Sequence, residues 1–258
     1  MILIKLGGSV ITDKQKERTA KLNVIERLSR EIADAGKDVI IVHGAGSFGH
    51  IPAKRYGLHN GFSSKEQLRG FSVTHYGVRT LNRIVMDALI RAKLNVVSFP
   101  PIDFITLDNK KIKEIDAERF KISIDMGLTP VTFGDVVFDK SLKFAICSGD
   151  LLMVELAKIF NPERAIFVID EDGVYTSDPK RDENAKLLEE LKVNELQVSC
   201  DVYTKYDVTG GMKGKLYSIK EIAELGVDVV VINGNKSKRL YKALINENVV
   251  GTIVYGEI

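Results

Sequence analysis

Three lysines in this sequence stand close to glycine-rich turns. Lys5 opens "KLGGS" (5–9), Lys14 follows in "ITDKQKER", and Lys215 closes "TGGMKGK" (209–215). Between them lies "HGAGSFGH" (43–50), where Gly44, Gly46 and Gly49 are spaced as G-x-G-x-x-G ahead of His50. Glycine-rich turns at strand ends and helix starts aim backbone N–H groups at phosphate oxygens. Lysine adds the point charge that a transferring phosphoryl group needs. One such loop is ordinary turn chemistry. Three in one chain, two of them carrying lysine, point to phosphoryl transfer. Singly, each lysine has a plainer reading. Lys5 snorkels from a strand end, Lys14 belongs to a solvated charge run, and Lys215 is an exposed helix lysine.

The standard nucleotide motifs do not fit. A P-loop needs G-x-x-x-x-G-K-[ST], whereas Gly210 to Gly214 is one residue short and Leu216 follows Lys215. The dinucleotide fingerprint belongs on the first strand of its unit, with an acid ending the next strand. Here an earlier strand exists, and "NVVSFPP" ends without an acid.

These residues need elements to position them. Apolar, β-rich runs read as strands at 2–6, 38–42, 95–99, 129–133, 144–147, 165–170 and 227–232. Several are continuous rather than alternating, as in strands buried on both faces. Helical patterns lie between them at 23–36, 65–94, 149–160 and 211–226, with Gly70 and Gly77 as weak points of the second. Such alternation predicts an α/β fold, a three-layer αβα sandwich around a mainly parallel sheet. Residues 1–258 read as one domain. An acceptor-binding half extends to about residue 160 and a nucleotide-binding half runs from about 161 to 258. The polar segment from about 171 to 208 is expected to pack beside the sheet or cover a site.

Composition narrows the function classes. The 258 residues are 45% hydrophobic and 28% charged with net charge +2, so no general affinity for polyanions follows. Nothing calls for nucleic acid. Cys147 and Cys200 form no C-x-x-C pair, which argues against a metal site or disulfide framework. The apolar start "MILIKLGG" is too short for a signal peptide or span, and no later run is long enough. A reduced, cytoplasmic setting without a membrane partner is expected.

Taken in order, "KLGGS", "HGAG", "SGD" (148–150), "DEDGVY" (170–175) and "DVTGGMKGK" (207–215) resemble the amino acid kinase superfamily over nearly the whole chain. The extension "GSFGH" resembles the isopentenyl phosphate kinases, and the fosfomycin kinases share it. Ala45 stands where relatives often have glycine, and its N–H is retained. The resemblance implies ATP with magnesium, isopentenyl phosphate as acceptor, and a homodimer; no residue is assigned as a metal ligand. Lys5, Leu6, Gly7, Gly8 and Ser9 would then embrace the β- and γ-phosphates. Gly46, Asp170, Tyr175, Gly211 and Lys215 would complete the ATP side. Ala45, His50 and Gly149 would face the acceptor. Lys5, Lys14, His50 and Asp150 would be catalytic, with Lys14 on the transition state and Asp150 orienting the lysines. From the sequence alone, Asp150 has a second, lesser reading as the N-cap of the helix after it.

The implied chemistry matches what the sequence lacks. A phosphate monoester, with a second pKa of about 6, is already an anion near neutrality and needs no general base. It needs its charge offset while it approaches ATP, which suits in-line transfer without a phosphoenzyme. Its apolar tail would be met by some of Phe71, Tyr76, Val78, Met86, Ile90, Val131 and Ile146. His43, His59 and His75 carry no motif and read as structural, surface or packing residues. Two other readings stay open: a fosfomycin or other small phosphate or phosphonate kinase, and a non-catalytic nucleotide binder. Lys5, Lys14, Asp150 and Lys215 together speak against the binder.

Overall fold

The structure, a computed structural model, describes residues 1–196 and 211–256. In chain order the strands are β1 Ile2–Leu6, β2 Val39–His43, β3 Val96–Ser98, β4 Ile105–Asp108, β5 Lys111–Ile115, β6 Thr129–Phe133 and β7 Asp135–Asp139. They continue with β8 Lys143–Cys147, β9 Arg164–Ile169, β10 Val174–Tyr175, β11 Leu187–Leu188, β12 Glu190–Lys192, β13 Asp228–Asn233 and β14 Gly251–Tyr255. The helices are α1 Gly8–Ile11, α2 Leu22–Ala35, α3 Gly46–Arg55, α4 Glu66–Arg91, α5 Glu118–Asp125, α6 Gly149–Phe160, α7 Gly211–Ala223 and α8 Arg239–Leu244.

The main sheet runs β12-β14-β13-β9-β1-β2-β6-β3. All its pairings are parallel except β13 with β14. Its central strands are buried on both faces, which explains their unbroken apolar runs. One core lies under α5, α6 and α7 and contains Leu3, Val42, Phe120, Leu152, Phe167 and Leu216. The other lies under α2, α4 and α8 and contains Ile4, Leu6, Leu28, Leu81, Val168 and Leu240. The expected three layers are therefore present.

The strand order reverses at β1, which lies between β2 and β9. Leu6 pairs with His43 on one side and Val168 on the other, so the loops after β1, β2 and β9 leave the same edge. Open α/β sheets bind ligands in the crevice at such a switch point.

Three expectations need correction. The strand at 144–147 is not in the main sheet. As β8 it pairs antiparallel with β7 in a separate sheet, β5-β4-β7-β8. The stretch after β2 is not only a loop, because α3 starts at Gly46 and runs through Pro52. Two glycines and a proline are weak helix formers and hid it. Nor does α4 break at Gly77. A Cβ there would lie 2.4 Å from the Phe48 carbonyl oxygen, so the glycine lets α3 and α4 pack closely. In the polar segment, β10 pairs antiparallel with β11, and the turn at 178–181 borders the cavity described next. Its last part and Cys200 lie outside the described residues.

Candidate active site

The crevice at the ends of β1, β2, β8 and β9 is a cavity of about 770 Å³. Lys5, Gly7, Gly8, Ser9, Lys14, Ala45, Gly46, His50, Gly149, Asp150, Asp170, Tyr175 and Lys215 all line it. Strand alternation decides the first of these. Ile2, Ile4 and Leu6 point into the core under α2 and α4, so Leu3 and Lys5 point to the opposite face. The Leu6 side chain is therefore turned away from the cavity, and its carbonyl accepts the Gly44 N–H. Gly211 opens α7, while Thr209 and Gly210 lie outside the described residues.

Two groups of charges flank the glycine turns. In the first, the buried Lys5 ammonium donates to the Asp150 carboxylate, and Lys215 from α7 lies 3.6 Å from the same oxygen. Asp150 is not a helix cap, because the Ser148 hydroxyl accepts the Leu151 N–H at 3.1 Å and caps α6. The Asp150 carboxylate is thus free for the lysines. Burial pushes Lys5 well below its ordinary value; Asp150 opposes this and Lys215 adds to it. Burial alone would raise Asp150, but Lys5 and Lys215 hold it below the usual carboxylate range. Burial brings Lys5 down to about 7, so the group carries only a partial positive surplus near neutrality, and an arriving anion would favour the fully protonated Lys5.

The second group gathers on Asp170, just beyond β9. Ser9 Oγ donates to it at 2.7 Å and Lys14 Nζ at 2.8 Å. Lys180 lies 3.8 Å away and pairs with Glu171 at 2.5 Å. Burial works to raise Asp170, yet the bonds from Lys14 and Ser9 bring it down to about 2.

The turns themselves interlock. A Cβ on Gly8 would lie 2.6 Å from the Gly46 nitrogen, and one on Gly44 would lie 2.6 Å from the Gly8 nitrogen. Gly46 adopts φ +49°, where a side chain would also meet Thr12 Oγ1. These glycines let two backbones approach each other as well as any phosphate. His43 locks the same corner. It stacks on Phe133, and burial lowers it to about 4, so it is neutral. Its Nδ1 donates to the Gly44 carbonyl at 3.1 Å, and its Nε2 accepts from Asn82 at 3.2 Å.

His50 stands in the first turns of α3 and faces the cavity. Among the described residues it has no hydrogen-bond partner. Although His50 is open to solvent on the cavity side, desolvation by the surrounding protein and the Lys5 and Lys215 charges, opposed by Asp150, hold it below its ordinary value. It therefore offers a neutral N–H near pH 7.

Only some of the candidate tail contacts were expected to reach the acceptor. Val78 and Ile146 line the cavity, but Phe71, Tyr76, Met86, Ile90 and Val131 do not. Phe71 stacks on Phe138, Tyr76 and Ile90 face solvent, and Met86 and Val131 belong to the core under α4. His59 lines the cavity. His75 is more than a packing residue, since its Nδ1 lies 2.7 Å from the buried Asp135 carboxylate, itself a cavity residue. Ser47, Thr74, Asp135 and Lys180 also line the cavity. Ser47 sits inside the "GSFGH" stretch and Lys180 in a turn of the polar segment, whereas Thr74 and Asp135 stood out by no motif.

The model of the amino acid kinase family matches residues 1–233. An isopentenyl phosphate kinase of Methanothermobacter thermautotrophicus is 39% identical, with all of both chains covered. One from Thermoplasma acidophilum is 34% identical over 98% of this chain and all of that one. A crystal structure of isopentenyl phosphate kinase superposes with a TM-score of 0.87 at 37% identity, over 98% of this chain and 99% of that one. The glycine turns, the paired lysine groups and the switch-point cavity thus occur in a chain that belongs to the amino acid kinase family, on its isopentenyl phosphate kinase branch.

Proposed function

We propose that the protein transfers the γ-phosphate of ATP to isopentenyl phosphate, giving isopentenyl diphosphate. The carrying observation is the pair of lysine groups on either side of the interlocked glycine turns, with His50 unpartnered beside them. In this reading Lys5, Lys215 and the N–H groups of Gly7, Gly8 and Ser9 receive the β- and γ-phosphates. Asp170, Tyr175, Gly211 and the α7 start serve the nucleotide, so residues from about 161 onward form its half. Ala45, Gly46 and Gly149 line the passage between donor and acceptor. His50 donates its neutral N–H to the acceptor phosphate.

Transfer is direct. The acceptor oxygen attacks the γ-phosphorus, the bond to the β,γ-bridging oxygen breaks, and ADP leaves with that electron pair. Lys14 leaves Asp170 to meet the charge developing on the moving phosphoryl group. Magnesium, which the family resemblance implies, would neutralise phosphate charge on the nucleotide.

We further expect two copies to pair. Leu68, Tyr76 and Ile90 are exposed on α4 and fall within about 80° of one face at 100° per residue. Light scattering at micromolar concentration checks this. No helix among the described residues is long and apolar enough to cross a membrane.

The deciding assay measures ADP release with isopentenyl phosphate, dimethylallyl phosphate, fosfomycin, glutamate and UMP. Isopentenyl phosphate is expected to give the highest kcat/KM. A higher value with fosfomycin or glutamate overturns the assignment.

A further inference from the structure

We infer that Arg18 is a positioning residue for phosphoryl transfer. It fixes the loop that carries Lys14, so the ammonium leaves Asp170 by a swing of its side chain and not of its backbone. This rests on the function proposed above and on the part Lys14 plays in it.

In sequence the stretch "TDKQKERTA" (12–20) is a run of charges. In the structure those charges have separate destinations. The loop is closed at its base, where Thr12 and Ala20 form an antiparallel bridge and the Asp13 N–H donates to the Thr19 carbonyl at 2.9 Å. Thr12 Oγ1 donates to the Gly8 carbonyl at 2.7 Å and accepts the Ser47 N–H at 3.0 Å. The base is thus tied to the turns that follow β1 and β2. Lys14 reaches Asp170 at 2.8 Å. Glu17 Oε2 accepts from the Arg55 guanidinium at 2.5 Å, at the end of α3.

Arg18 fastens the same side of the loop to α4. Its N–H donates to the Ser47 carbonyl at 3.4 Å, and its guanidinium donates to the Val73 carbonyl at 3.3 Å. The guanidinium carbon lies 5.6 Å from the centre of the Tyr76 ring. The side chain crosses α4 at a bare glycine, with Nε 3.7 Å from where a Cβ of Gly77 would stand. Arg18 also holds φ +53°, a left-handed conformation that a non-glycine residue enters at a cost. Each contact is weak on an exposed surface. Together they hold this turn just beyond Lys14. Only residues 14–16 then remain between the closed base and the anchored pair Glu17 and Arg18. A short arch keeps the Lys14 backbone in place while its ammonium moves. Placement matters at this step, since a misplacement of about 1 Å caused by a distant change can cost about 100-fold in rate.

The test is a double-mutant cycle on kcat in the full-length protein, with ATP and isopentenyl phosphate. Arg18→Asn removes the guanidinium, and asparagine tolerates the left-handed turn. It should lower kcat about 3- to 20-fold, less than the loss from Lys14→Ala itself. The KM values for ATP and acceptor should stay within about 2-fold, because the loss falls on the transition state. In the Lys14→Ala background the same substitution should change kcat by less than about 2-fold, since a residue acting through Lys14 has nothing left to position. An equal loss in both backgrounds overturns the inference, because Arg18 then acts apart from Lys14. So does an unchanged kcat in Arg18→Asn, or a loss confined to either KM. Near-normal turnover of Lys14→Ala alone overturns the part proposed for that lysine, and this inference with it. A wild type that prefers another acceptor overturns the acceptor assignment alone, because the cycle reads the same coupling with that acceptor.

Discussion

Asp150 and Asp170 each gather two lysines, but in different surroundings. Around Asp150, the Lys5 side chain is 6% exposed and Lys215 16%. Around Asp170, Lys14 is 59% exposed and Lys180 63%. A pair sheltered from water interacts strongly and is costly to break, whereas an exposed pair contributes little and is screened. The first group is therefore a fixed seat whose positive charge grows as an anion arrives, because burial holds the unliganded Lys5 at about 7. The second is a tether. Lys14 can leave Asp170 for an incoming phosphate at little cost, then return. In the proposed function the same ion-pair chemistry would serve binding in one place and the moving group in the other, with exposure making the difference.

Removing the carboxylate of the sheltered group should have the largest effect. Asp150→Asn leaves Lys5 buried without its counter-ion, and unfolding in urea should show a loss of about 3 kcal/mol. Turnover should fall about 1,000-fold, at the upper end of losses for one preorganised electrostatic element. If turnover stays within 10-fold and stability is unchanged, the two groups are equivalent and the contrast fails.

Lys14→Ala tests the tether. Turnover should fall about 100-fold while the KM for ATP and the unfolding midpoint hardly move, because the lost charge acts mainly on the transition state. Near-normal turnover would return Lys14 to the solvated charge run. A marked loss of stability would show that the pair is structural.

His50 sharpens the comparison by acting without charge. His50→Ala should lower kcat/KM for the acceptor roughly 10- to 150-fold, corresponding to about 1.5–3 kcal/mol for a hydrogen bond to a charged group. ATP affinity should stay nearly constant, and His50→Gln should recover part of the loss. Burial and Lys5 keep His50 below its ordinary value, so its neutral donor form prevails above that lowered value. Acceptor kcat/KM should therefore show no decline between about pH 6.5 and 8 of the kind that deprotonation of an imidazolium would cause. A decline that His50→Gln abolishes would mean that His50 works as a cation, whereas one that survives reports Lys5, which burial brings to about 7.

How much of this was legible varied with the range of the interaction. The apolar runs at 2–6, 165–170 and 227–232 became central strands because burial on both faces leaves a continuous local pattern. The lysines and glycine turns were visible as clustered residue types, and one cavity gathers them. The helix α3 was hidden, because its glycines answer to the approach of Gly8 and of α4 rather than to local propensity. Strand β8 looked like its neighbours, since a short apolar run says nothing about which sheet receives it.

By itself the sequence determined the layered α/β architecture and the phosphate chemistry, because both depend on residue type and short spacing. Only the tertiary structure decided which way each side chain turned and what solvent surrounded it. One residue of strand alternation sends Leu6 into the core and Lys5 into the cavity. A cap on Ser148 releases Asp150 to two lysines, and the pairing of Asp135 with His75 joins residues far apart in the chain. Charge strength, protonation and tail contacts depend on burial and on distant partners, and neither is written in local spacing.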